Sequence, residues 1–240
     1  MLTRHRKPSG LSAAAANWHA LTRFAARFTN CQPSLLIDIG STTCDVIPLI
    51  GGDIATNQRT DTARLLRGEL VYAGIERTPV CALVSELPYR GQRCPIAREF
   101  FATTADVYTL LGQLPEQPLN HDTADGREAT KGASRVRLAR MICADGEDFN
   151  HHDAIVAAES VAGVFTQVIL HSVQQVTSAY SLEPALVILS GHGAFAANTA
   201  LESLRTPWKR LNLASEIGAA ASRCAPAHAL AVLAREGAGG

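Results

Sequence analysis

A short segment rich in small hydroxyl residues has the composition of a phosphate-binding loop. It runs Asp38-Ile39-Gly40-Ser41-Thr42-Thr43-Cys44-Asp45. Gly40 lets the backbone approach a ligand closely because it has no Cβ, and the hydroxyl residues after it supply the donors that phosphate oxygens require. Asp38 and Asp45 flank the turn and could hold Mg²⁺ against a bound phosphate. Short glycine motifs are weak signals, so an ordinary hairpin with solvated aspartates stays open as the alternative.

A second glycine turn, Ser190-Gly191-His192-Gly193, follows an apolar run and precedes a segment of small residues. A Gly-x-Gly turn between a strand and a helix exposes backbone N–H groups to a phosphate or nucleotide. The alternative is a turn whose glycines serve packing alone. We expect the tip at Gly191 to share one cleft with the turn at Gly40.

Charged residues concentrate in three other segments. Residues 60–69 hold Asp61, Arg64, Arg67 and Glu69, which suit a diphosphate or carboxylate or else form a solvated helix with internal ion pairs. Residues 121–127 could bind a metal or form a polar surface loop. The adjacent residues 151–153 are better suited to cap a helix than to bind a metal.

Hydrophobic periodicity predicts the elements that would position these residues. The predicted helices cover residues 11–28, 60–66, 103–111, 130–141, 153–179 and 225–235. The predicted strands cover residues 35–37, 46–50, 70–73, 80–84, 186–189 and 211–213. Strands early and alternating strands and helices later are typical of an α/β protein. We divide the chain into a leader and helix over 1–34 and an α/β domain over 35–240, with room for two interleaved lobes.

Composition indicates a globular cytoplasmic protein. The 22 basic and 22 acidic residues cancel, whereas general nucleic-acid binders usually carry a basic excess. The 6 cysteines include no CxxC pair, which argues for reduced thiols and against a disulfide framework or zinc knuckle. The sequence contains no run approaching the roughly 20 apolar residues that span a bilayer. We therefore expect neither a nucleic-acid nor a membrane partner.

A longer set of residues resembles one protein family. Residues 60–83 follow the pattern Thr-Asp-Thr-x-Arg-Leu-x-x-Gly-Glu-Leu-Val-Tyr-x-Gly-x-x-Arg-Thr-Pro-Val-Cys-Ala-Leu. Together with the two glycine turns and residues 99–108 and 123–127, this block resembles the hydantoinase/oxoprolinase-like proteins of the tetrahydromethanopterin-linked C1-transfer pathway. The resemblance covers most of the chain, from about residue 18 to residue 233, and the 60–83 block is its most specific part.

The resemblance implies an actin-like α/β fold, in which ribonuclease-H-like lobes hold phosphates between hairpins. It also implies a transferase in the biosynthesis of a methanofuran-type C1 carrier. Such an enzyme would join a diphosphate-activated aminomethylfuran to the phenol oxygen of a γ-glutamyltyramine-like or tyrosine-like acceptor, with diphosphate as the leaving group.

Site roles follow as expectations from this resemblance. The loop 40–43 and the turn at Gly191, His192 and Gly193 would hold the diphosphate. Asp38 and Asp45 would orient Mg²⁺, and Arg67 would neutralise charge on the departing oxygens. By residue type alone, and not from the resemblance, either Glu99 or Asp106 would accept the phenolic proton.

One feature of the family is missing from this sequence. Family members begin with an Asp-x-Gly-Gly hairpin, whereas a basic leader and one helix precede residue 35 here. We therefore expect an incomplete first lobe whose sheet edge is covered by the first helix or by association into a homo-oligomer. Two other hypotheses stay open: an ATP-dependent kinase-like or hydantoinase-like enzyme of the same fold, and a non-catalytic subunit.

Overall fold

The structure is a computed structural model that describes residues 16–238. Its strands, in chain order, are β1 (Ser34–Ile39), β2 (Cys44–Ile50), β3 (Asp53–Ile54), β4 (Leu70–Val71), β5 (Glu86–Tyr89), β6 (Gln92–Pro95), β7 (Leu186–Ser190) and β8 (Lys209–Asn212). Its α-helices are α1 (Ala16–Ala25), α2 (Asp61–Arg67), α3 (Val80–Leu83), α4 (Thr104–Leu110), α5 (Lys131–Met141), α6 (His151–Ala179), α7 (Ala194–Ser203), α8 (Leu213–Ile217), α9 (Ala219–Arg223) and α10 (Ala225–Ala238).

A 6-stranded sheet forms the centre of the molecule, in the order β3-β2-β1-β7-β8 with β4 paired to β2. Strand β1 is antiparallel to β2 and parallel to β7, and β8 is parallel to β7. An antiparallel meander that continues into parallel strands through helical connections has the ribonuclease-H-like topology. The predicted α/β class of the actin-like type is therefore confirmed.

Both faces of the sheet are covered by helices. Leu35, Ile37 and Ile39 of β1 pack on one face, in a cluster with residues of α6 and α7. Leu36 points to the other face, in a cluster with residues of α1 and α10 such as Leu21. Alternate residues of a strand face opposite sides, so this double burial explains why β1 is an uninterrupted apolar run up to Asp38.

A third apolar cluster lies beside the sheet and contains residues of α3, α4, α5, β5 and the first half of α6. The second half of α6 belongs to the cluster beneath the sheet. Helix α6 has 29 residues and is apolar enough to cross a membrane by length and composition. Its burial in two core clusters is typical of the central helix of a globular protein.

The helix starts are set by polar caps. The side chain of Thr60 accepts a hydrogen bond from Ala63 N at the start of α2, and Thr130 does the same for Ala133 N in α5. Asn150 and Asp153 form a reciprocal capping box at the start of α6. The assignment of residues 151–153 to a helix start is therefore confirmed.

One predicted strand is wrong. Residues 80–84 form the short helix α3, because Pro79 holds the extended N-cap conformation and Val84 N donates to Val80 O. Val80 N donates to Ala102 O, which attaches this turn to the chain before α4 rather than to a sheet. The chain forms its hairpin further on, where Arg90 and Gly91 supply two positive φ angles between β5 and β6.

Smaller differences lie at element ends. Strand β4 stops at Val71, and residue 213 begins α8 instead of continuing β8, because the Asn212 side chain accepts from Ala214 N. The predicted helix over 11–28 appears as α1 and a 3₁₀ turn (Ala26–Phe28), while residues 11–15 lie outside the described part. Helix α1 covers a face of the sheet, not its edge. The domain division and the homo-oligomer stay predictions.

Candidate functional site

The turn between β1 and β2 is held from outside by the segment that follows β4. Gly40 N donates to Thr43 O across the turn at 2.9 Å, and Ile75 N donates to Gly40 O at 3.1 Å. Glu76 N and Arg77 N both donate to Ser41 O. The carbonyl groups of Gly40 and Ser41 are thus engaged, which fixes the loop in one shape before any ligand arrives.

Gly74 allows this close approach between the two segments. A Cβ at Gly74 would lie 2.5 Å from the carbonyl oxygen of Ser41, nearer than side-chain carbons come in real proteins. The carbonyl of Gly74 accepts hydrogen bonds from the hydroxyls of Thr78 and Thr104. Gly74 of the 60–83 block is therefore required for packing, because only a glycine lets this segment contact the turn between β1 and β2 so closely.

The second glycine turn adjoins the first. Gly193 N donates to Ile39 O at 3.0 Å, and Asp38 is the register partner of Ser190 in the parallel pair of β1 and β7. Gly191 has φ +79°, and a Cβ there would lie 2.9 Å from Asp38 Oδ1. The expectation that the turns at Gly40 and Gly191 form one cleft is confirmed.

A cavity of about 320 Å³ lies between these turns, and we call it the phosphate cavity. Its lining includes Asp38, Asp45, the turn 40–43, Gly191 and His192, whereas Gly193 does not line it. Five residues not singled out as site candidates also line it, among them Trp18 of α1 and Arg223 of α9. Gly193 instead packs behind the cavity, where a Cβ would overlap the side chain of Ile39.

Asp38 is the most unusual group in this cavity. It is 8% exposed, and its Oδ1 atom has no hydrogen-bond partner within residues 16–238. Burial, followed by the nearby negative charge of Asp45, raises the pKa of Asp38 from 3.8 to about 7. The Ser190 hydroxyl and His192 oppose this shift only in part. A cation beside Asp38 would remove the cost of ionising it.

Asp45 has a partner, and that partner is Arg64. The Arg64 Nη2 atom lies 2.6 Å from Asp45 Oδ1, and the Arg64 side chain is 2% exposed. The guanidinium carbon lies 4.2 Å from the centroid of a Trp18 ring, as in a cation–π contact. Burial raises the pKa of Asp45, whereas Arg64 lowers it.

The structure does not bring Arg67 to the phosphate cavity. Arg67 is exposed at the end of α2 and lines neither this cavity nor the neighbouring one described below. The buried arginine is its neighbour Arg64, three positions earlier, which also donates to Glu69 O. Helical spacing alone did not distinguish the two arginines because both belong to the last turn of α2.

Several buried polar atoms near the cavity have no hydrogen-bond partner within the described chain. They are Trp18 Nε1, Asp38 Oδ1, Arg64 Nε, Ser190 Oγ and His192 Nε2. Trp18 and Asp38 line the cavity, Ser190 is paired with Asp38 across the strands, and Arg64 bonds Asp45. Buried polar groups in native proteins are nearly always satisfied, so this concentration marks a site suited to a polar or ionic occupant.

A second cavity, of about 570 Å³, lies next to the first. Arg223 lines both of them. Glu76 lines the second cavity, and its Oε1 atom lies 3.1 Å from Nε2 of His192, which lines the first. The neighbouring His192 ring holds the pKa of Glu76 below its ordinary value. Glu76, His192 and Arg223 therefore mark the junction of the two cavities.

The two predicted proton acceptors have different surroundings. Asp106 is buried, caps Thr103 N, and accepts hydrogen bonds from Ser134 and from Arg137 Nε at 2.7 Å. It lines the second cavity, but its oxygens are already engaged in structural contacts. Glu99 is exposed and lines neither cavity.

The segment 121–127 serves the same structural network. Asp125 accepts from the buried Arg137 at 2.9 Å and from Arg140 at 3.0 Å. Across residues 16–238 the structure contains no group of three or more His, Cys, Asp or Glu side chains that could hold a metal. Of the two hypotheses for this segment, the polar surface loop is the one that its contacts favour.

Comparison with known proteins gives consistent results. The hydantoinase/oxoprolinase family model matches residues 2–236. A protein of Methanocaldococcus jannaschii, named (4-{4-[2-(gamma-L-glutamylamino)ethyl]phenoxymethyl}furan-2-yl)methanamine synthase, is 30% identical over 233 residues, which are 97% of this chain and 68% of that protein. A protein of Methanococcus vannielii with the same name is 32% identical over 175 residues, which are 73% of this chain and 76% of that protein.

Among solved structures, the nucleotide-free form of acetone carboxylase matches with a TM-score of 0.49 and 15% identity. The match covers 78% of this chain and 28% of the acetone carboxylase chain.

Proposed function

Because the chain belongs to the hydantoinase/oxoprolinase family, we propose that it forms the aryl ether of a methanofuran-type C1 carrier. The reaction joins a diphosphate-activated aminomethylfuran to the phenol of a γ-glutamyltyramine-like acceptor. The names of the two methanogen relatives describe this type of product, a furan linked through a phenoxymethyl group. The observation that carries the proposal is Asp38, buried and unpartnered between two glycine turns.

The diphosphate occupies the phosphate cavity in this proposal. The turn 40–43 and the turn at Gly191 and His192 line the cavity from two sides. The turn 40–43 supplies hydroxyl donors, and both turns suit the close approach of phosphate oxygens. Arg223 is exposed at the cavity, where it can pair with phosphate oxygens, a role that the sequence had suggested for Arg67.

The donor set fits a magnesium ion that is held mainly through phosphate and water. Mg²⁺ usually takes one or two protein carboxylates and fills its other positions with water and substrate phosphate. Asp38, whose Oδ1 atom is unpartnered, is the first ligand, and Asp45 contributes a second carboxylate that Arg64 partly neutralises. When bound, the ion would neutralise charge on the departing diphosphate.

The chemistry is a substitution at the furan methylene carbon. The bond between that carbon and the diphosphate oxygen breaks, and its electron pair leaves with the diphosphate. The phenol oxygen forms the new bond to the same carbon, and the phenolic proton passes to a carboxylate. We assign that carboxylate to Glu76, because it lies at the junction of the cavities, whereas Asp106 is engaged and Glu99 lies elsewhere.

We also place the protein in the cytoplasm, without a nucleic-acid or membrane partner. The net charge is zero, and the apolar residues of α6 lie within two core clusters. The cysteine residues of the described chain are all free, which agrees with a reducing compartment.

The test is a reaction of the full chain with the furan diphosphate, γ-glutamyltyramine and Mg²⁺. We expect a product whose mass equals that of the ether and an equal amount of free diphosphate. Glu76→Gln should lower kcat while diphosphate binding is largely kept, because the amide cannot accept the phenolic proton but still fills the place of the carboxylate beside His192. Diphosphate binding without any ether would favour a non-catalytic subunit. Protection by ATP but not by diphosphate would favour a kinase-like enzyme.

A further inference from the structure

The second cavity has the size of a small-molecule site. It shares only Arg223 with the residues that line the phosphate cavity. Its volume of about 570 Å³ lies within the ordinary range for such sites, roughly 300–1,000 Å³. Its walls are formed by α4 and the residues before it, the polar loop after α4, α5, the segment of Glu76 and Arg77, and Arg223. It is larger than the phosphate cavity and adjoins it.

The lining of this cavity includes one aromatic side chain and charged groups of both signs, of which Asp106 and Arg137 pair with each other. Phe100 lines the cavity and is 53% exposed. Much of its ring is therefore available to contact a ligand. Arg77 and Arg223 are exposed, and within the described residues neither forms an ion pair. A ligand with a flat ring and an anionic end is complementary to this lining.

The place where the two cavities meet determines which end of the ligand faces the phosphate cavity. Glu76 faces the second cavity and contacts His192 of the first at 3.1 Å, and Arg223 lines both cavities. A group that reacts with a compound in the phosphate cavity must reach it here. The reacting oxygen of a second substrate therefore belongs next to Glu76, and the rest of that substrate extends toward Phe100 and Arg77.

From this geometry we propose that the second cavity is the binding site of the phenolic acceptor. The phenol oxygen lies at Glu76, the ring packs against Phe100, and the carboxylate of the amino-acid tail pairs with Arg77. This assignment rests on the proposed function, since it takes the acceptor class from the reaction given there. It adds the place, the orientation and the residue that selects for an anionic tail.

Calorimetric titration of two acceptors separates these contacts. We expect γ-glutamyltyramine to bind the full chain, and Arg77→Gln to weaken its binding on the order of tenfold, as loss of a charge-assisted hydrogen bond does. Tyramine lacks the carboxylate, so its binding should be the same in the parent and in Arg77→Gln. Phe100→Ala should weaken both ligands by a similar factor, roughly fivefold.

A variant that fills the cavity gives a second, independent readout. Ala105 lines the cavity at the start of α4. Ala105→Leu places a larger side chain there, and leucine has nearly the helix propensity of alanine. Both acceptors should lose affinity in this variant, while inorganic diphosphate with Mg²⁺ binds as it does to the parent. Matched controls are Arg235→Gln and Tyr72→Ala, which alter an exposed arginine and an exposed aromatic residue outside both cavities.

The outcomes also distinguish this site from the reaction itself. If ether forms but Arg77→Gln and Ala105→Leu leave the KM for the acceptor unchanged, the assigned site is wrong and the reaction stands. The site is also wrong if the parent binds diphosphate but no acceptor. If acceptor binding responds to the variants as expected but no ether forms, the site stands and the proposed reaction is wrong.

Discussion

Replacing Asp38 by asparagine should have opposite effects on stability and on ligand binding. The buried carboxylate is costly to ionise, which is why its pKa is raised to about 7. Asparagine has nearly the same shape and carries no charge. The folded protein therefore loses a destabilising charge in Asp38→Asn, while the phosphate cavity loses the carboxylate proposed to hold the magnesium ion.

The magnitude follows from proton linkage. A folded-state pKa raised above its unfolded value means that the folded protein holds a proton which the unfolded chain has released, so stability falls as pH rises. For Asp38 the fall runs from about pH 4 to about pH 7, the interval between the ordinary value 3.8 and the raised value. At roughly 1.4 kcal/mol per pH unit this interval corresponds to an upper limit of about 4 kcal/mol. Above pH 7, Asp38→Asn should be the more stable protein by up to that amount.

Urea unfolding at pH 5 and pH 8, without divalent ions, measures this effect. We expect Asp38→Asn to be more stable than the parent by about 1.5 kcal/mol at pH 5 and by up to about 4 kcal/mol at pH 8, since the loss in the parent begins near pH 4. Asp145→Asn is the matched control, because Asp145 is exposed and lies outside both cavities. In parallel, Mg²⁺-dependent binding of diphosphate should weaken on the order of 10- to 100-fold in Asp38→Asn. A variant that is less stable than the parent at pH 8, with diphosphate binding unchanged, would refute the reasoning.

Three further predictions concern packing. Gly191→Ala should destabilise by more than the roughly 1–3 kcal/mol of backbone strain and abolish diphosphate binding, since its Cβ would overlap the Ile39 carbonyl and meet Asp38 Oδ1 at 2.9 Å. Gly91→Ala, at a similar φ of +78° in open space, should lose stability by the strain alone. Gly163→Ala should stabilise by roughly 0.5–1 kcal/mol, because this exposed position of α6 has open space around the new Cβ, and a thermal melt would show no gain if the position were crowded. Arg137→Met should cost about 3–5 kcal/mol in urea unfolding, because Asp106 and Asp125 lose their buried cation; an unchanged midpoint would mean that the carboxylates are satisfied without it.

The sequence predicts the two glycine turns well, but it does not predict which distant residues complete the phosphate cavity around them. Short-range patterns predicted β1, β2 and β7 and placed the two glycine turns at strand ends, because strand periodicity and turn residues are local properties. Trp18 and Arg223 reach the phosphate cavity from α1 and α9, which are far apart in the chain. Their positions depend on how those helices pack on the sheet, which no local pattern encodes.

Where the structure departs from the sequence-based expectations, contacts with distant segments are the cause. Residues 80–84 are apolar and partly β-branched, as a strand would be, but Pro79 and the hydrogen bond from Val80 N to Ala102 O impose a helical turn. The sequence suggested Arg67 for the departing diphosphate, and Arg67 lies outside the phosphate cavity. Only the tertiary contact with Asp45 distinguishes the buried arginine from the exposed one.

Helix α6 belongs to two apolar clusters, and this affects how the protein unfolds locally. At 1.5 Å per residue the helix is about 40 Å long, and its first half packs with α3, α4 and α5 while its second half lies beneath the sheet. Near its C-terminal half, Ser172 donates to Gly68 O and Gln175 donates to Leu66 O, the segment that delivers Arg64 to Asp45. Helix α6 itself lines neither cavity, but it packs against α4 and α5, which line the second cavity, and two of its side chains hold the segment that carries Arg64. Amide protons along α6 should exchange with solvent as one cooperative unit, so the cavities lose their shape together rather than one at a time.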